Sequence, residues 1–413
     1  MSKRKSLILL TQKFPFESGE EFLATELPYL ENAFEKIVIV PTAVRDFSSR
    51  RAVGQNVLVL EVSNPKGMFQ IVLNLVKKLG STISILFTEL FRSHGTIRLL
   101  KYYLYHIPYA LQIRTILSRQ YKELKDPILY SYWMDTNAFA ASLLKESYPS
   151  IGLFVKSHGG DLYNERHIAG AIAFRESVYK EADRLFFISK HGYEYASSHY
   201  PAYLDKMAVF RLGTEFKGIS PLPSPEMPFT IVSCSSLVAL KRVGLIAEVL
   251  NQVNLPITWI HFGGDRVAIR QLKTKLPKLR EGFEIHWKGK VPNEEIQSFY
   301  RENAIDLFIN LSSSEGIPVS MMEAISFGIP IFSNDVGGIS EIVNKQTGML
   351  ISEGKNSREI AVLLTEFLKK NKTREEDFRE GIKKYWNQNY SASQNHPKLI
   401  WELLKNRLGE GKQ

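Results

Sequence analysis

Short apolar segments alternate with amphipathic helical segments along almost the whole chain of 413 residues. Apolar runs of this kind are typical of buried parallel strands, and the segments between them are typical of crossover helices. We therefore predict an α/β fold with doubly wound parallel sheets. The predicted strands are 6–10, 36–41, 57–62, 128–132, 152–157 and 184–188 in the first half, and 230–235, 257–263, 284–287, 306–310, 329–333 and 348–351 in the second.

The chain is too long for one hydrophobic core, because single cores stop growing at about 250–300 residues. Four prolines fall within the segment 219–228, ISPLPSPEMP, which separates the two sets of predicted strands. Proline at this density excludes a helix and makes a semi-rigid connection. We therefore predict an N-terminal domain over 1–218, a linker over 219–228 and a C-terminal domain over 229–394.

The composition restricts the partners and the compartment. Lysine and arginine number 53 against 43 aspartates and glutamates, so the formal net charge is +10. No recognisable nucleic-acid motif accompanies this charge, so we expect no nucleic-acid partner. Anionic phosphate substrates, an anionic membrane surface or simple solubility would account for the excess. The single cysteine, Cys234, allows no internal disulfide and indicates a reducing compartment.

The sequence predicts a cytoplasmic protein. No apolar run reaches the roughly 18 residues of a transmembrane helix, and the run at 7–10 is too short for a signal peptide. The segment 67–117 is helical in pattern, basic and aromatic, which also suits peripheral association with the inner face of the cytoplasmic membrane. The alternative, favoured for its apolar face, is a helical pair packed on the N-terminal sheet. The residues concerned include Phe69, Lys77, Lys78, Phe87, Phe91, Arg92, Arg98, Lys101, Tyr102, Tyr103, Tyr105, Tyr109 and Arg114.

The stretch 311–343, LSSSEGIPVSMMEAISFGIPIFSNDVGGISEIV, predicts a ligand site. We expect a helix from about Pro318 to Phe327, because proline suits the first turn and a following glycine ends a helix. The free N–H groups at such a helix start attract a phosphate. Glu315 and Glu323 flank that position, and ionised carboxylates suit hydroxyl groups because they only accept hydrogen bonds. Phosphate with hydroxyls on either side describes a sugar nucleotide.

The same stretch resembles the signature of family 4 retaining glycosyltransferases, which have the GT-B fold. That fold consists of two Rossmann-like domains facing a cleft, and its final helix, here 395–413, crosses back to the N-terminal domain. The residues that carry the resemblance are Glu315, Gly316, Pro318, Glu323, Ala324, Gly328, Pro330, Gly337, Gly338 and Glu341.

The resemblance implies roles for these residues. Glu315 would orient the donor sugar and Glu323 would bind the ribose hydroxyls. The turn and helix start made by Gly316, Ile317, Pro318 and Val319 would bind the donor diphosphate.

A second part of the signature lies earlier in the predicted C-terminal domain. The family usually has an arginine where this chain has Ser236, and a lysine five residues later, which is retained as Lys241. Both cations would bind the diphosphate, so this chain either lacks one of them or uses Arg242 instead. Gly263 and Gly264, which end a predicted strand, would line the nucleotide pocket.

The predicted N-terminal domain contributes two further motifs. Ser157-His158-Gly159-Gly160-Asp161 follows a predicted strand and resembles the family's His-Gly-x-Asp motif. His158 is therefore expected beside the donor sugar, with Asp161 orienting it or a substrate hydroxyl. Gly19 belongs to a loop that would approach the diphosphate or the acceptor, where Glu20 and Glu21 would face an acceptor hydroxyl or favour a helix start.

The predicted function is transfer of a sugar, with retained configuration, from a UDP- or GDP-sugar to a hydroxyl of a glycan or lipid-linked acceptor. Capsule or lipopolysaccharide biosynthesis is the family-level expectation. No metal or other cofactor is expected, because cationic groups already face the phosphates. The alternatives are a nucleotide-sugar epimerase on the same fold and a non-catalytic sugar-nucleotide-binding protein, which the serine at position 236 would favour.

Overall fold

The computed structural model describes residues 6–17, 19–62, 79–92, 100–167 and 170–405. The chain divides into two compact units. Unit 1 comprises the residues up to Arg211 together with those from His396 onward, and unit 2 comprises Leu212–Asn395.

Unit 1 is built on a parallel sheet that has seven strands within the described residues, in the order β3-β2-β1-β4-β5-β6-β7. Strand β1 pairs with both β2 and β4, so the strand order reverses there. Ligands of open α/β sheets bind outside the carboxyl ends of the strands at such a point. The strands are β1 Ser6–Thr11, β2 Lys36–Pro41, β3 Val57–Val59, β4 Ile128–Ser131, β5 Gly152–Ser157, β6 Arg184–Phe187 and β7 Met207–Val209.

Helices cover both faces of this sheet, because alternate residues of its strands are apolar on both sides. Ile8 and Leu10 pack in one core and Leu7 and Leu9 in another, and all four are fully buried. Asp135 begins one helix by accepting the N–H of Asn137. The helices are α1 Leu23–Ala33, α2 Leu79–Arg92, α3 Leu100–Glu123, α4 Thr136–Ser147, α5 Arg175–Glu181 and α6 Lys190–His199.

Unit 2 has a parallel sheet in the order β10-β9-β8-β11-β12-β13, which reverses between β8 and β11. Its strands are β8 Phe229–Cys234, β9 Ile257–Phe262, β10 Phe283–Gly289, β11 Leu307–Asn310, β12 Ile331–Asn334 and β13 Gly348–Ile351. Its helices are α7 Val243–Gln252, α8 Arg266–Lys273, α9 Asn293–Glu302, α10 Val319–Ser326, α11 Ser357–Lys369 and α12 Glu376–Tyr390.

The last described helix, α13 (Ala392–Lys405), begins in unit 2 and continues into unit 1. Leu399 and Leu403 are buried in the same core as the strand residues Leu7 and Leu9. Glu402 lies 3.3 Å from Arg184 at the start of β6. The predicted return of the final helix to the N-terminal part of the chain is therefore confirmed as far as Lys405, and residues 406–413 of the predicted helix lie outside the described residues.

Each predicted strand has a counterpart. The strands predicted over 36–41, 152–157 and 348–351 have the predicted bounds, and the ends of the others differ by at most three residues. The predicted strand 57–62 is shortened to Val57–Val59, and 329–333 is shifted to Ile331–Asn334. Strand β7 was not predicted, because three residues are too few to show a periodicity.

The predicted helical segment 67–117 contains α2 and most of α3, which continues to Glu123. Its residues Phe69, Lys77, Lys78 and Arg98 lie outside the described residues. Tyr103 and Ile107 of α3 are fully buried in the sheet core, whereas Phe87 of α2 is 70% exposed. The packed arrangement therefore holds for the apolar face of α3. Within the part of the chain that the structure describes, no helix has both the length and the apolarity to cross a bilayer.

Candidate active site

The candidate residues of unit 2 lie on the segments that follow β8, β9 and β11, including helix α10 after β11. These strands are parallel neighbours around the point where the strand order reverses. Parallel strands end at the same edge of a sheet, so the loops that follow them converge there.

Lys241 and Glu315 are in direct contact, although they come from different loops. The ammonium Nζ of Lys241 lies 2.7 Å and 2.8 Å from the two carboxylate oxygens of Glu315. The Glu315 side chain is buried, whereas 26% of the Lys241 side chain is exposed. Asn310, at the end of β11, also donates to Glu315 at 3.3 Å. The site thus holds a cation that can reach solvent and a carboxylate fixed behind it.

Arg242 has a different role from Lys241. Its backbone is left-handed, with φ of 44°. Its guanidinium donates from Nε to the carbonyl of Leu311 at 2.6 Å and from Nη2 to that of Ser312 at 3.1 Å. Arg242 therefore ties the loop after β8 to the end of β11. Ser236, which stands where the family has an arginine, is exposed on the same loop.

Helix α10 begins at Val319, one residue later than predicted, and Pro318 is its N-cap residue. Proline has no polar side chain with which to cap the first N–H groups, and such groups favour an anion. Gly316 accepts the N–H of Gly338 at 2.8 Å, and Ile317 is buried. The turn before α10 is thus fixed by a hydrogen bond from the turn at Gly337 and Gly338.

Gly337 permits this close packing. Its φ is +58°, and a Cβ at this position would lie 2.0 Å from the carbonyl oxygen of Glu315. Gly263 has the same function at the end of β9, where φ is +118° and a Cβ would lie 2.0 Å from the Ser235 carbonyl oxygen. Gly264 follows with φ of +80°. These positions need glycine because both the conformation and the space exclude a side chain.

Glu323 lies on α10 and is largely buried. Its carboxylate accepts a hydrogen bond from Nδ2 of Asn293 at 2.6 Å. Burial raises the pKa of Glu323, and the side chains of Asn293 and Gln297 partly oppose this by hydrogen bonding. Cys234, at the end of β8, has a pKa raised to about 12 by burial and by the charge of Glu323. Asn293 was not predicted, because an asparagine after a proline indicates only a helix start.

His158 follows β5 in unit 1 and is 4% exposed. Its ring lies 4.4 Å from the ring of Trp133 and 5.2 Å from that of Phe22. Nε2 is 3.0 Å from the carbonyl oxygen of Tyr132. A carbonyl only accepts, so Nε2 carries the proton and Nδ1 is an acceptor. Burial and the nearby charge of Lys156 keep the pKa of His158 well below its usual range, so the ring is neutral.

Asp161 holds the main chain around His158. One oxygen accepts the N–H of His158 at 2.6 Å and the hydroxyl of Ser157 at 3.2 Å, and the other accepts the N–H of Met134 at 2.7 Å. Burial raises the pKa of Asp161 to about 7. Asp161 can therefore position His158 through its backbone, with its own oxygens directed into the protein.

The loop after β1 carries Gly19, whose φ is +123° and whose N–H donates to Glu21 at 2.9 Å. Glu20 is 1% exposed. Its carboxylate accepts the N–H groups of Gln12, Lys13 and Phe14 and the indole N–H of Trp133, at 2.6–3.0 Å. In this arrangement Glu20 fixes the loop and the Trp133 ring.

The described residues include no group of three or more His, Cys, Asp or Glu side chains that could hold a metal ion. The expectation that no metal is needed stays a prediction. The candidate residues form two sets, one in each unit. Lys241, Glu315 and Glu323 belong to unit 2, and His158 and Asp161 belong to unit 1.

Comparison with known proteins identifies the family. Residues 217–385 match the family model described as glycosyl transferases group 1. This segment, less than half of the chain, is similar to that family. The predicted family is therefore confirmed, and the match contains Lys241, Glu315 and Glu323 together.

Two relatives and one solved structure show the extent of the similarity. The putative colanic acid biosynthesis glycosyltransferase WcaL of Escherichia coli K12 is 28% identical over 174 residues, 40% of this chain and 42% of WcaL. The amylovoran biosynthesis glycosyltransferase AmsK of Erwinia amylovora is 30% identical over 171 residues, 39% of this chain and 42% of AmsK. The chain therefore matches less than half the length of these relatives.

The structure of Anabaena HepE in complex with UDP-glucose is similar over 98% of this chain and 100% of HepE. The TM-score is 0.66 and the sequence identity is 14%. At this identity the likeness establishes the fold alone. It confirms the predicted GT-B fold class.

Proposed function

We propose that this protein is a retaining glycosyltransferase. It would transfer a sugar from a UDP- or GDP-sugar to a hydroxyl of a glycan or lipid-linked acceptor in cell-surface polysaccharide biosynthesis. The contact of Lys241 with Glu315, close to the start of α10, is the observation that carries the proposal. The contact brings together a cation and a helix start, which suit a diphosphate, and carboxylate acceptors, which suit sugar hydroxyls. A nucleoside diphosphate sugar has both kinds of group. The names of WcaL and AmsK support a surface polysaccharide as the product class.

The unit 2 residues would activate the leaving group. The Lys241 ammonium and the first N–H groups of α10 stabilise the negative charge that develops on the departing diphosphate. When the diphosphate takes the ammonium, the oxygens of Glu315 are released to accept hydroxyls of the donor sugar. Glu323 accepts the ribose hydroxyls, and Asn293 keeps its carboxylate in place.

The unit 1 residues would bind a sugar hydroxyl. His158 presents Nδ1 as an acceptor, because its Nε2–H is committed to the Tyr132 carbonyl. A neutral ring suits this task, since it can accept from a hydroxyl without adding a positive charge. Asp161 positions His158, and Gly19 lies in the loop that Glu20 holds in shape.

Thermal unfolding in the presence of nucleotides tests the donor site. UDP, GDP, ADP and their sugar conjugates are added to the full chain with and without Mg²⁺. We expect one nucleotide series to stabilise the protein without metal, by about 2.7 kcal/mol at a hundredfold excess over the dissociation constant. Lys241→Met should abolish this stabilisation. The control is Lys369→Met, which replaces an exposed lysine at the end of α11 and should leave the stabilisation unchanged.

Incubation of the bound donor with and without glycan acceptors tests the reaction. We expect a product whose anomeric configuration, read by NMR, equals that of the donor. Conversion of the donor in the absence of any acceptor would instead favour the epimerase. Binding without any turnover would favour a sugar-nucleotide-binding protein, and absence of a shift with every nucleotide would refute the donor site.

A further inference from the structure

Two loops at the carboxyl edge of the unit 1 sheet are joined into one surface. They follow the adjacent parallel strands β1 and β2. The N–H of Ala43 donates to the carbonyl of Gln12 at 2.6 Å, and the N–H of Arg51 donates to that of Pro15 at 2.9 Å. The rings of Phe16 and Phe47 meet edge to face at 4.9 Å. These contacts fix the positions of the charged groups on both loops.

Glu17 places a carboxylate among hydrogen-bond donors of this surface. One oxygen accepts the consecutive backbone N–H groups of Arg45 and Asp46, the latter at 3.1 Å. The other oxygen lies 2.9 Å from Nζ of Lys13. Consecutive backbone N–H groups of this kind form an anion-binding concavity. The Arg45 N–H and the Lys13 ammonium hold the pKa of Glu17 down, at about 2.

Further cations surround this carboxylate. Arg45 and Arg50 are exposed on the loop after β2. Arg51 is partly buried and donates from Nη1 to the main-chain carbonyl of Glu17 at 3.1 Å. The other carboxylates on the two loops are Asp46, which accepts the N–H of Ser48, Glu21, which lies 3.7 Å from Arg51, and the buried Glu20. The arginines of this surface can therefore contact an added anion from the solvent side.

The same surface is linked to the candidate active site within unit 1. Glu20 accepts the N–H of Lys13 and the indole N–H of Trp133. The Trp133 ring lies 4.4 Å from that of His158. A ligand bound by the two loops would therefore contact a loop that Glu20 and Trp133 connect to His158.

We propose that this surface, formed by Lys13, Glu17, Arg45, Arg50 and Arg51, binds the phosphate or diphosphate group of an anionic acceptor. Glu17 occupies the phosphate position in the free protein and is displaced when the acceptor binds. Phosphate oxygens suit both paired backbone N–H groups and arginine. That the ligand is the acceptor rests on the proposed glycosyltransferase function, whereas binding of the anion itself does not.

Calorimetric titration of inorganic pyrophosphate into the full chain tests this site. The nucleotide that stabilises the protein in the thermal screen, UDP or GDP, is present at saturation to fill the donor site. The ionic strength is low because exposed charges are screened by salt. We expect Glu17→Gln to tighten pyrophosphate binding about fivefold, since it removes the competing charge, and Arg50→Gln to weaken it about fivefold. The matched controls are Glu35→Gln, just before β2, and Arg119→Gln, on the last turns of α3. Both should stay within about twofold of the unaltered chain.

Affinities that do not differ among these variants would overturn the site, and so would the absence of pyrophosphate binding. Binding of a nucleotide in the thermal screen together with equal pyrophosphate affinities of all variants would refute the anion site and leave the proposed function standing. The expected differences in pyrophosphate affinity without binding of any nucleotide would support the anion site and refute the proposed function.

Vesicles and a prenyl diphosphate distinguish the sources of the phosphate. If farnesyl diphosphate competes with pyrophosphate, and Arg50→Gln weakens the binding of farnesyl diphosphate, the site binds the diphosphate of an acceptor. If Arg50→Gln instead abolishes sedimentation with phosphatidylglycerol vesicles and leaves farnesyl diphosphate affinity unchanged, a membrane surface replaces the acceptor and the proposal is wrong.

Discussion

Replacement of Lys156 by methionine should destabilise unit 1, because it removes the ion-pair partner of the buried Glu26 carboxylate. The side chains of Lys156 and Glu26 are 1% and 0% exposed, and Nζ lies 2.5 Å from Oε2. Tyr130 donates to the other oxygen at 2.8 Å. Removal of one partner of a buried ion pair costs about 3–5 kcal/mol, since the remaining charge loses its nearest counter-charge. In a unit of this size the midpoint of thermal unfolding should fall by roughly 10 °C.

The destabilisation should depend on pH. Burial by itself raises the pKa of Glu26, but the charges of Lys156 and His396 and the hydrogen bonds lower it below its ordinary value. A lowered pKa gives stability that is present above the unfolded pKa and is lost as the pH falls through the folded pKa. Without Lys156 the buried carboxyl protonates more readily. The deficit of the variant should therefore be largest near neutral pH and should narrow toward acid.

Equilibrium unfolding in urea, followed by circular dichroism from about pH 8 to about pH 4, measures this deficit. The control is Lys190→Met, which removes an exposed ion pair with Glu194 and should cost less than about 0.5 kcal/mol. Adding Glu26→Gln to the variant should restore much of the loss by removing the stranded charge. A deficit below about 1 kcal/mol, or one that is constant with pH, would refute this account of the pair.

Three further predictions concern unit 2. Asn293→Leu should weaken binding of the donor nucleotide, UDP or GDP, about tenfold, since it removes a hydrogen bond to a carboxylate. It should also move the acid limb of the pH profile of affinity to higher pH, because the pKa of Glu323 rises further, and an unchanged profile would contradict this. Gly337→Ala should lower both stability and affinity for that nucleotide, measured by thermal unfolding, whereas Gly381→Ala, where a Cβ meets nothing within 4 Å, should lower neither. Cys234 should react with iodoacetamide at pH 8 far more slowly than a free thiol, because its pKa is raised to about 12; labelling at the rate of free cysteine would show an accessible thiolate.

Much of the candidate donor site could be predicted because its residues are close in sequence. Glu315, the turn at Gly316 and the start of α10 follow one another along the chain, so glycine, proline and carboxylate spacing reports their arrangement directly. The strands of both sheets were predictable for a similar reason. A strand buried on both faces requires a local run of apolar residues, and that run is visible in the sequence.

The environment of Glu20 could not be predicted. Its position next to a glycine suggested either an acceptor contact or a favourable charge at a helix start. Burial instead made it the acceptor for three backbone N–H groups and the Trp133 indole. A carboxylate that leaves water needs such partners, and which donors surround it depends on how the loop closes.

The sequence by itself determined the α/β class, the approximate strand positions and the family, because these follow from local periodicity and from a contiguous motif. The tertiary structure decided which polar groups meet. It brought Lys241 to Glu315, Asn293 to Glu323, and Arg242 to the carbonyls at the end of β11. These partners lie on separate loops or helices of the chain. Hydrogen bonds require distances near 3 Å, which exist only after the parallel strands align the segments that follow them at one edge of the sheet.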